Sequence, residues 1–178
     1  MPRLVPLAAI AALTLGATAQ SASAAQVFAT FYIATPDGPG PKVGSAIIKD
    51  SDQGAVIQLN LNGLPPGEHG FHVHDHGSCA PVMRDGMPMP AGGAGGHYDP
   101  DLAGRHAGPV GNGHRGDLPF IVVAADGTDR ETLVAPRIRD VARLVGHSLM
   151  IHAGGDNYAD QPAPLGGGGP RLACAVVQ

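Results

Sequence analysis

Ala55-Val56-Ile57-Gln58-Leu59-Asn60-Leu61 is the stretch from which the fold class can be read. Ala55, Ile57, Leu59 and Leu61 are apolar, and Gln58, Asn60 and the following Asn62 fall between them. Neighbouring strand residues point to opposite faces, so this two-residue period marks a sheet with one wet face. Upstream, Asp50-Ser51-Asp52-Gln53-Gly54 joins it to a second apolar run, Val43 to Ile48, as a Gly-containing hairpin connection. Val27 to Ile33 is β-branched and aromatic, a first strand, and Thr35 to Pro41 reads as a turn dense in Pro, Gly and Asp.

Downstream, Leu64-Pro65-Pro66-Gly67 breaks the pattern before Gly70-Phe71-His72-Val73-His74. Almost no periodicity follows from Asp75 to Leu118. Pro119 to Ala124, Glu131 to Ala135, Ser148 to His152 and Leu172 to Val177 then read as strands. Asp126-Gly127 forms a turn, Ile138 to Val145 a helical turn or an irregular crossover, and Gly154 to Pro170 a second Gly/Pro loop. About eight short strands without a long helix predict an all-β domain. The expected architecture is an eight-stranded antiparallel Greek-key β-barrel, an immunoglobulin-like sandwich with two long functional loops. The 27 glycines and 17 prolines border on a disordered composition, but they cluster between alternating segments.

Arg3, the apolar run Leu4 to Leu15 and Ala22-Ser23-Ala24 form the charged, apolar and cleavage regions of a secretory signal. The domains are therefore residues 1–25, a removed signal peptide, and 26–178, the mature domain, with cleavage after Ala19 or Ala25 left open. A membrane anchor is the competing reading, but the run falls short of the ~20 residues a spanning helix needs. The mature chain is expected to be exported, periplasmic and off the membrane. Removing Arg3 from 11 basic residues leaves 10 against 15 acidic ones, a net charge of −5. That balance argues against nucleic acid and anionic lipid as partners. Cys79 and Cys174, two cysteines in an exported chain, read as a disulfide rather than as two free buried thiols.

His72 and His74 sit two apart on one strand, so both imidazoles leave from the same face. A solvated face would look the same; the residues that follow decide. His97, His106, His114 and Asp117 lie within 21 residues on one loop, and His152 ends a later strand. A closed set of four N and O ligands suits structural zinc. Imidazoles held by strands, with a position left open, suit a redox copper.

Five motifs carry a resemblance to the copper/zinc superoxide dismutases, in particular their bacterial periplasmic branch. They are Gly70-Phe71-His72-Val73-His74, Gly95-Gly96-His97-Tyr98-Asp99-Pro100, Gly113-His114-Arg115-Gly116-Asp117-Leu118-Pro119, His152-Ala153-Gly154-Gly155-Asp156-Asn157 and Gly169-Pro170-Arg171-Leu172-Ala173-Cys174. The likeness runs from about Val27 to Gln178, with the motifs in the family's order. It implies one copper ion per chain on His72, His74, His97 and His152. It implies one zinc ion on His97, His106, His114 and Asp117, with His97 as a bridging imidazolate. Asp156 takes the place of the carboxylate linking a copper histidine to a zinc histidine, and Cys79–Cys174 that of the family disulfide. Arg171 and His97 are the implied catalytic residues: the guanidinium holds superoxide, and the imidazole alternately takes and gives a proton. The implied activity is dismutation of superoxide to dioxygen and hydrogen peroxide by Cu(II)/Cu(I) cycling.

His69, His76 and His147 are left over and are read as structural or solvated. Bacterial relatives often carry a lysine where His76 stands, so steering of the anion is expected to rest on the metals, on Arg171 and on Arg84 or Arg105. The alternative is a copper/zinc storage or delivery protein on the same fold. A copper-only dismutase conflicts with the complete His97, His106, His114, Asp117 set. An adhesion sandwich has no use for seven ligand-type residues in register. The sequence is compatible with a monomer and with a homodimer.

Overall fold

The structure, a computed structural model, describes residues 25–178. The expected signal peptide over residues 1–25 lies outside the described residues apart from Ala25, whose carbonyl accepts the Asp50 amide. No helix of the described residues is long and apolar enough to cross a membrane.

Eleven antiparallel strand segments run in chain order: β1 Gln26–Thr35, β2 Gly38–Lys49, β3 Ala55–Leu61, β4 Gly67–His69, β5 Phe71–His74, β6 Val82–Arg84, β7 Met87–Met89, β8 Ile121–Val123, β9 Thr132–Ala135, β10 Ser148–His152 and β11 Arg171–Val176. The main sheet has the order β5-β10-β11-β1-β2-β3-β9, and β4 pairs with β8. β4 and β5 are one strand interrupted at Gly70, so the curled sheet has the eight expected strands. The chain crosses over after β3 and again after β9, consistent with a Greek key.

Three expectations need correction. The Thr35 to Pro41 turn is narrower, because Thr35 pairs with Gly38 and Ala34 with Pro39 around Pro36-Asp37. Asp75 to Leu118 is not wholly irregular. It holds the β6–β7 hairpin and a 3-10 turn at Gly92–Ala94, segments too short to print a period on the sequence. Leu64 to Gly67 breaks the pattern, yet Gly67 already pairs with Val123. The ambiguous Ile138 to Val145 contains a 3-10 turn, Val141–Leu144, capped by the Asp140 carboxylate accepting the Ala142 amide.

The alternation in β3 is obeyed: Ala55, Ile57, Leu59 and Leu61 are buried, and Gln58 and Asn60 are exposed. They pack with Phe31 and Ile48 against Phe71, Val73, Leu149 and Ile151. The Phe31 and Phe71 rings meet at 6.2 Å across this core. β5 and β10 differ from β3 in being buried on both faces. Phe71 and Val73 enter the core, while His72 and His74 point the other way, under the long loop that follows.

That loop returns to the free edge of β5. The Val73 amide donates to the Gly116 carbonyl at 2.9 Å, the Tyr98 amide donates to the Val73 carbonyl at 2.8 Å, and the Gly116 amide donates to the Tyr98 carbonyl at 2.8 Å. Short bridges set His74 opposite His97 and His72 opposite Asp117. A Cβ on Gly116 would stand 2.4 Å from the Val73 carbonyl, so only glycine permits this approach. The Cys79–Cys174 disulfide, with Cα atoms 5.8 Å apart, ties the start of the loop to β11.

Gly116→Ala is expected to push the loop off β5 at a cost of about 1–3 kcal/mol, the range for overpacking a close contact. A lower urea midpoint with an unchanged slope is the expected result, and an unchanged midpoint would refute the clamp.

Candidate metal centre

The two sides of the clamp together build two adjoining sets that share one residue. His72, His74, His97 and His152 offer ligand atoms within 4.8 Å of one another, and so do His97, His106, His114 and Asp117. All are buried. β5 supplies the first pair and β10 supplies His152. The loop supplies the rest, with His97 common to both sets.

Hydrogen bonds fix which ring nitrogen faces the first set. His74 Nδ1 donates to the Gly95 carbonyl at 3.0 Å, and His152 Nδ1 to the Gly169 carbonyl at 3.1 Å. His72 donates through Nε2 to Asp156 Oδ2 at 2.7 Å. His72 Nδ1, His74 Nε2, His97 Nε2 and His152 Nε2 are left buried without a hydrogen-bond partner. A buried polar atom without a partner costs about 1–3 kcal/mol. Four in one place are explained if a cation takes all four lone pairs, so the residues fit a copper-type site.

The second set converges on one carboxylate oxygen. Asp117 Oδ1 lies 3.1 Å from His97 Nδ1, 2.9 Å from His106 Nδ1 and 3.3 Å from His114 Nδ1. The His106 contact lacks hydrogen-bond geometry despite its distance, as suits a lone pair aimed at a shared centre and not at the oxygen. Three nitrogens and one oxygen match the donor set of structural zinc.

Asp156 joins the two sets, accepting from His72 as above and from His106 Nε2 at 2.7 Å. A Cβ on Gly166 would lie 2.0 Å from Asp156 Oδ1 and 3.0 Å from His106 Nε2, so the second loop must present glycine here. Asp160, which has no motif to mark it, accepts the His106 amide at 2.9 Å and the Leu165 amide at 3.1 Å, and so joins the two loops.

Arg171 pairs with His152 across β10 and β11. Its guanidinium donates to the Ala91 carbonyl through Nη1 and to the Gly95 carbonyl through Nη2, both at 2.5 Å. Gly95 thus orients both His74 and Arg171, a backbone role invisible in side-chain motifs. Arg84, on the exposed β6–β7 hairpin, is close enough for its charge to help lower the Arg171 pKa, behind the larger effect of burial. Of the leftover histidines, His69 is structural, with its ring nitrogens 2.8 Å from the His152 and Pro65 carbonyls. His147 packs on Tyr98 at 4.4 Å, and His76 is exposed.

Burial lowers the pKa of His72 to about 3 and of His152 to about 4; the neighbouring histidines add to it and, for His152, so does Arg171. Both rings are therefore neutral, with lone pairs available, at neutral pH. His106 goes the other way. Burial opposes its charge, but the close Asp117 carboxylate and the hydrogen bond to Asp156 raise it to about 9. Burial likewise disfavours the Asp117 and Asp156 anions, and their histidine partners overcome it and hold both well below the ordinary carboxylate range.

Copper/zinc superoxide dismutase (SODC) is the family whose profile matches residues 43–177. Superoxide dismutase (Cu-Zn) of Brucella abortus is 51% identical over 147 residues, 83% of this chain and 85% of that protein. The solved Cu/Zn superoxide dismutase from Brucella abortus superposes with a TM-score of 0.85 at 49% identity, covering 86% of this chain and all of that one. The monomeric copper, zinc superoxide dismutase from Salmonella enterica gives 0.78 at 46% identity, covering 86% of this chain and all of that one.

Two outcomes are expected. In metal-free protein the folded pKa values of His72 and His152 lie below the ordinary 6.5. The unfolded chain then binds more protons, so stability falls as pH drops from 6.5 toward 4 and 3. The raised His106 value stabilises below 6.5, and that contribution is lost as pH rises through about 9. Calorimetric Tm against pH should therefore fall on both sides of a plateau, and a Tm flat below 6.5 would refute burial as the cause. Asp156→Asn should weaken zinc retention about 10–100-fold, the usual cost of losing an outer partner of a ligating histidine. Chelator competition reads it.

Proposed function

The chain belongs to the copper/zinc superoxide dismutase family, and from that premise we propose that it dismutates superoxide as an exported enzyme. We assign copper to His72, His74, His97 and His152, and zinc to His97, His106, His114 and Asp117. The observation that carries the assignment is the set of four unpartnered ring nitrogens, with the other nitrogen of His97 turned to Asp117. One imidazole can then face both ions, a position that favours loss of its second proton.

The reaction takes two superoxide anions and two protons to dioxygen and hydrogen peroxide. Bound copper supplies the one-electron couple. The chain supplies the remainder. Arg171, anchored through Nη1 and Nη2, presents a fixed positive charge beside His74 and His152 to bind the anion. His97 Nε2 is the atom at which a proton is held and released. Asp156 and the Gly95 and Gly169 carbonyls keep the rings in the tautomers that aim the lone pairs inward. Burial keeps these rings unprotonated and metal-competent.

A storage or delivery role on the same fold is less well supported, since it leaves the doubly anchored Arg171 without a task. We further propose that residues 1–25 are a leader and that the enzyme works in the periplasm, a reading supported by the disulfide and by bacterial relatives. Either a monomer or a homodimer accommodates the site, and both ligand sets lie within one chain, which supports a working monomer.

Reconstitution with copper and zinc, followed by a superoxide-consumption assay against apoprotein, tests the proposal. Activity should appear only with copper, and Arg171→Ala should lower it about tenfold or more, since hydrogen bonds to a charged group contribute about 1.5–3 kcal/mol. Stoichiometric copper and zinc without dismutation would favour the storage role.

A further inference from the structure

A cavity of about 410 Å³, lined by none of the seven ligand-type residues, opens where the zinc-side loop meets the segment after β9. That volume lies in the range of roughly 300–1,000 Å³ typical of small-molecule sites. Arg115, Arg137, Arg139 and Arg143 surround it, four of the ten basic residues of an otherwise acidic mature chain. Asp101 and Asp140 are its acidic residues, which leaves an excess of two positive charges.

Two of these arginines are occupied. Arg115 grips Asp101 through Nε at 3.1 Å and Nη2 at 2.5 Å, and Arg143 Nε donates to Asp140 at 3.2 Å. The other two have no carboxylate within hydrogen-bond distance. Arg139 makes no ion pair among the described residues, and its guanidinium only donates to the Asp52 carbonyl at 3.1 Å. Arg137 donates through Nη1 to the His114 carbonyl at 2.8 Å, while its Nη2 stays 3.8 Å from Asp101, beyond a hydrogen bond. Each guanidinium thus keeps N–H donors that no carboxylate holds by a hydrogen bond, and its planar fork matches a tetrahedral oxyanion. Buried Ile138 and Leu144 floor the cavity, and the partly exposed Tyr98 and Pro136 wall it.

We propose that this cavity binds a small phosphate monoester, the charged head on Arg137 and Arg139 and an apolar body against Tyr98 and Pro136. A dianion matches the excess of two charges, and the apolar wall favours an ester over free phosphate. Because Arg137 also holds the carbonyl of His114, occupancy and metal on the zinc side stabilise the same backbone, and each should strengthen the other.

Phenyl phosphate titrated calorimetrically into the copper- and zinc-loaded protein tests this, with inorganic phosphate and phenol as separate arms. Saturable binding is expected for phenyl phosphate, weaker binding for phosphate and none for phenol. Arg137→Gln and Arg139→Gln should each weaken it about tenfold, as loss of a charge-assisted contact predicts. The exposed Arg139 provides the test should Arg137→Gln disturb the loop. Arg171→Gln should leave the affinity unchanged. No saturable heat, equal binding of phosphate and phenyl phosphate, or loss with Arg171→Gln but with neither cavity variant would overturn the proposal.

Discussion

Val73 carries the constraint on which the rest depends. Its amide and carbonyl are both spent on the loop that follows, to Gly116 and from Tyr98, while its side chain is sealed in the barrel core. A backbone pinned on one edge by a neighbouring strand and on the other by a returning loop has little freedom left. His72 and His74 flank Val73 and inherit that rigidity. The same bridges bring His97 and Asp117 to face them, so a hydrogen-bond ladder built from backbone alone sets the spacing of both ligand sets.

Electrostatics then selects protonation states. The barrel wall and the covering loops exclude water from the histidines, which makes a free imidazolium expensive there. Where two carboxylates flank one ring, as Asp117 and Asp156 flank His106, the cost is reversed. One short stretch of structure thus holds neutral rings beside an ion-paired one: His106 lies against both Asp117 and Asp156, whereas His72 has Asp156 alone and His97 has Asp117 alone.

The disulfide and Arg171 act together at the other edge. Cys174 lies three residues beyond Arg171, and Cys79 begins the loop whose Ala91 and Gly95 carbonyls hold the guanidinium. Covalent closure of this circuit limits how far the arginine can drift from the histidines, and Gly95 passes the same restraint to His74.

Local pattern was enough for the barrel and for picking out the seven side chains that converge in the two buried sets. The β3 alternation and the other apolar runs report which side of a strand avoids water, and a two-residue period survives any arrangement of the strands around it. The histidine motifs are short and rigidly spaced for the same reason. The β6–β7 hairpin, the shared Gly95 carbonyl, the Asp160 link between loops and the arginine-ringed cavity left no such trace. Each joins residues distant along the chain through backbone atoms or isolated side chains, and backbone atoms are alike at every position. Their roles came into being only when folding closed the loops over β5 and β10.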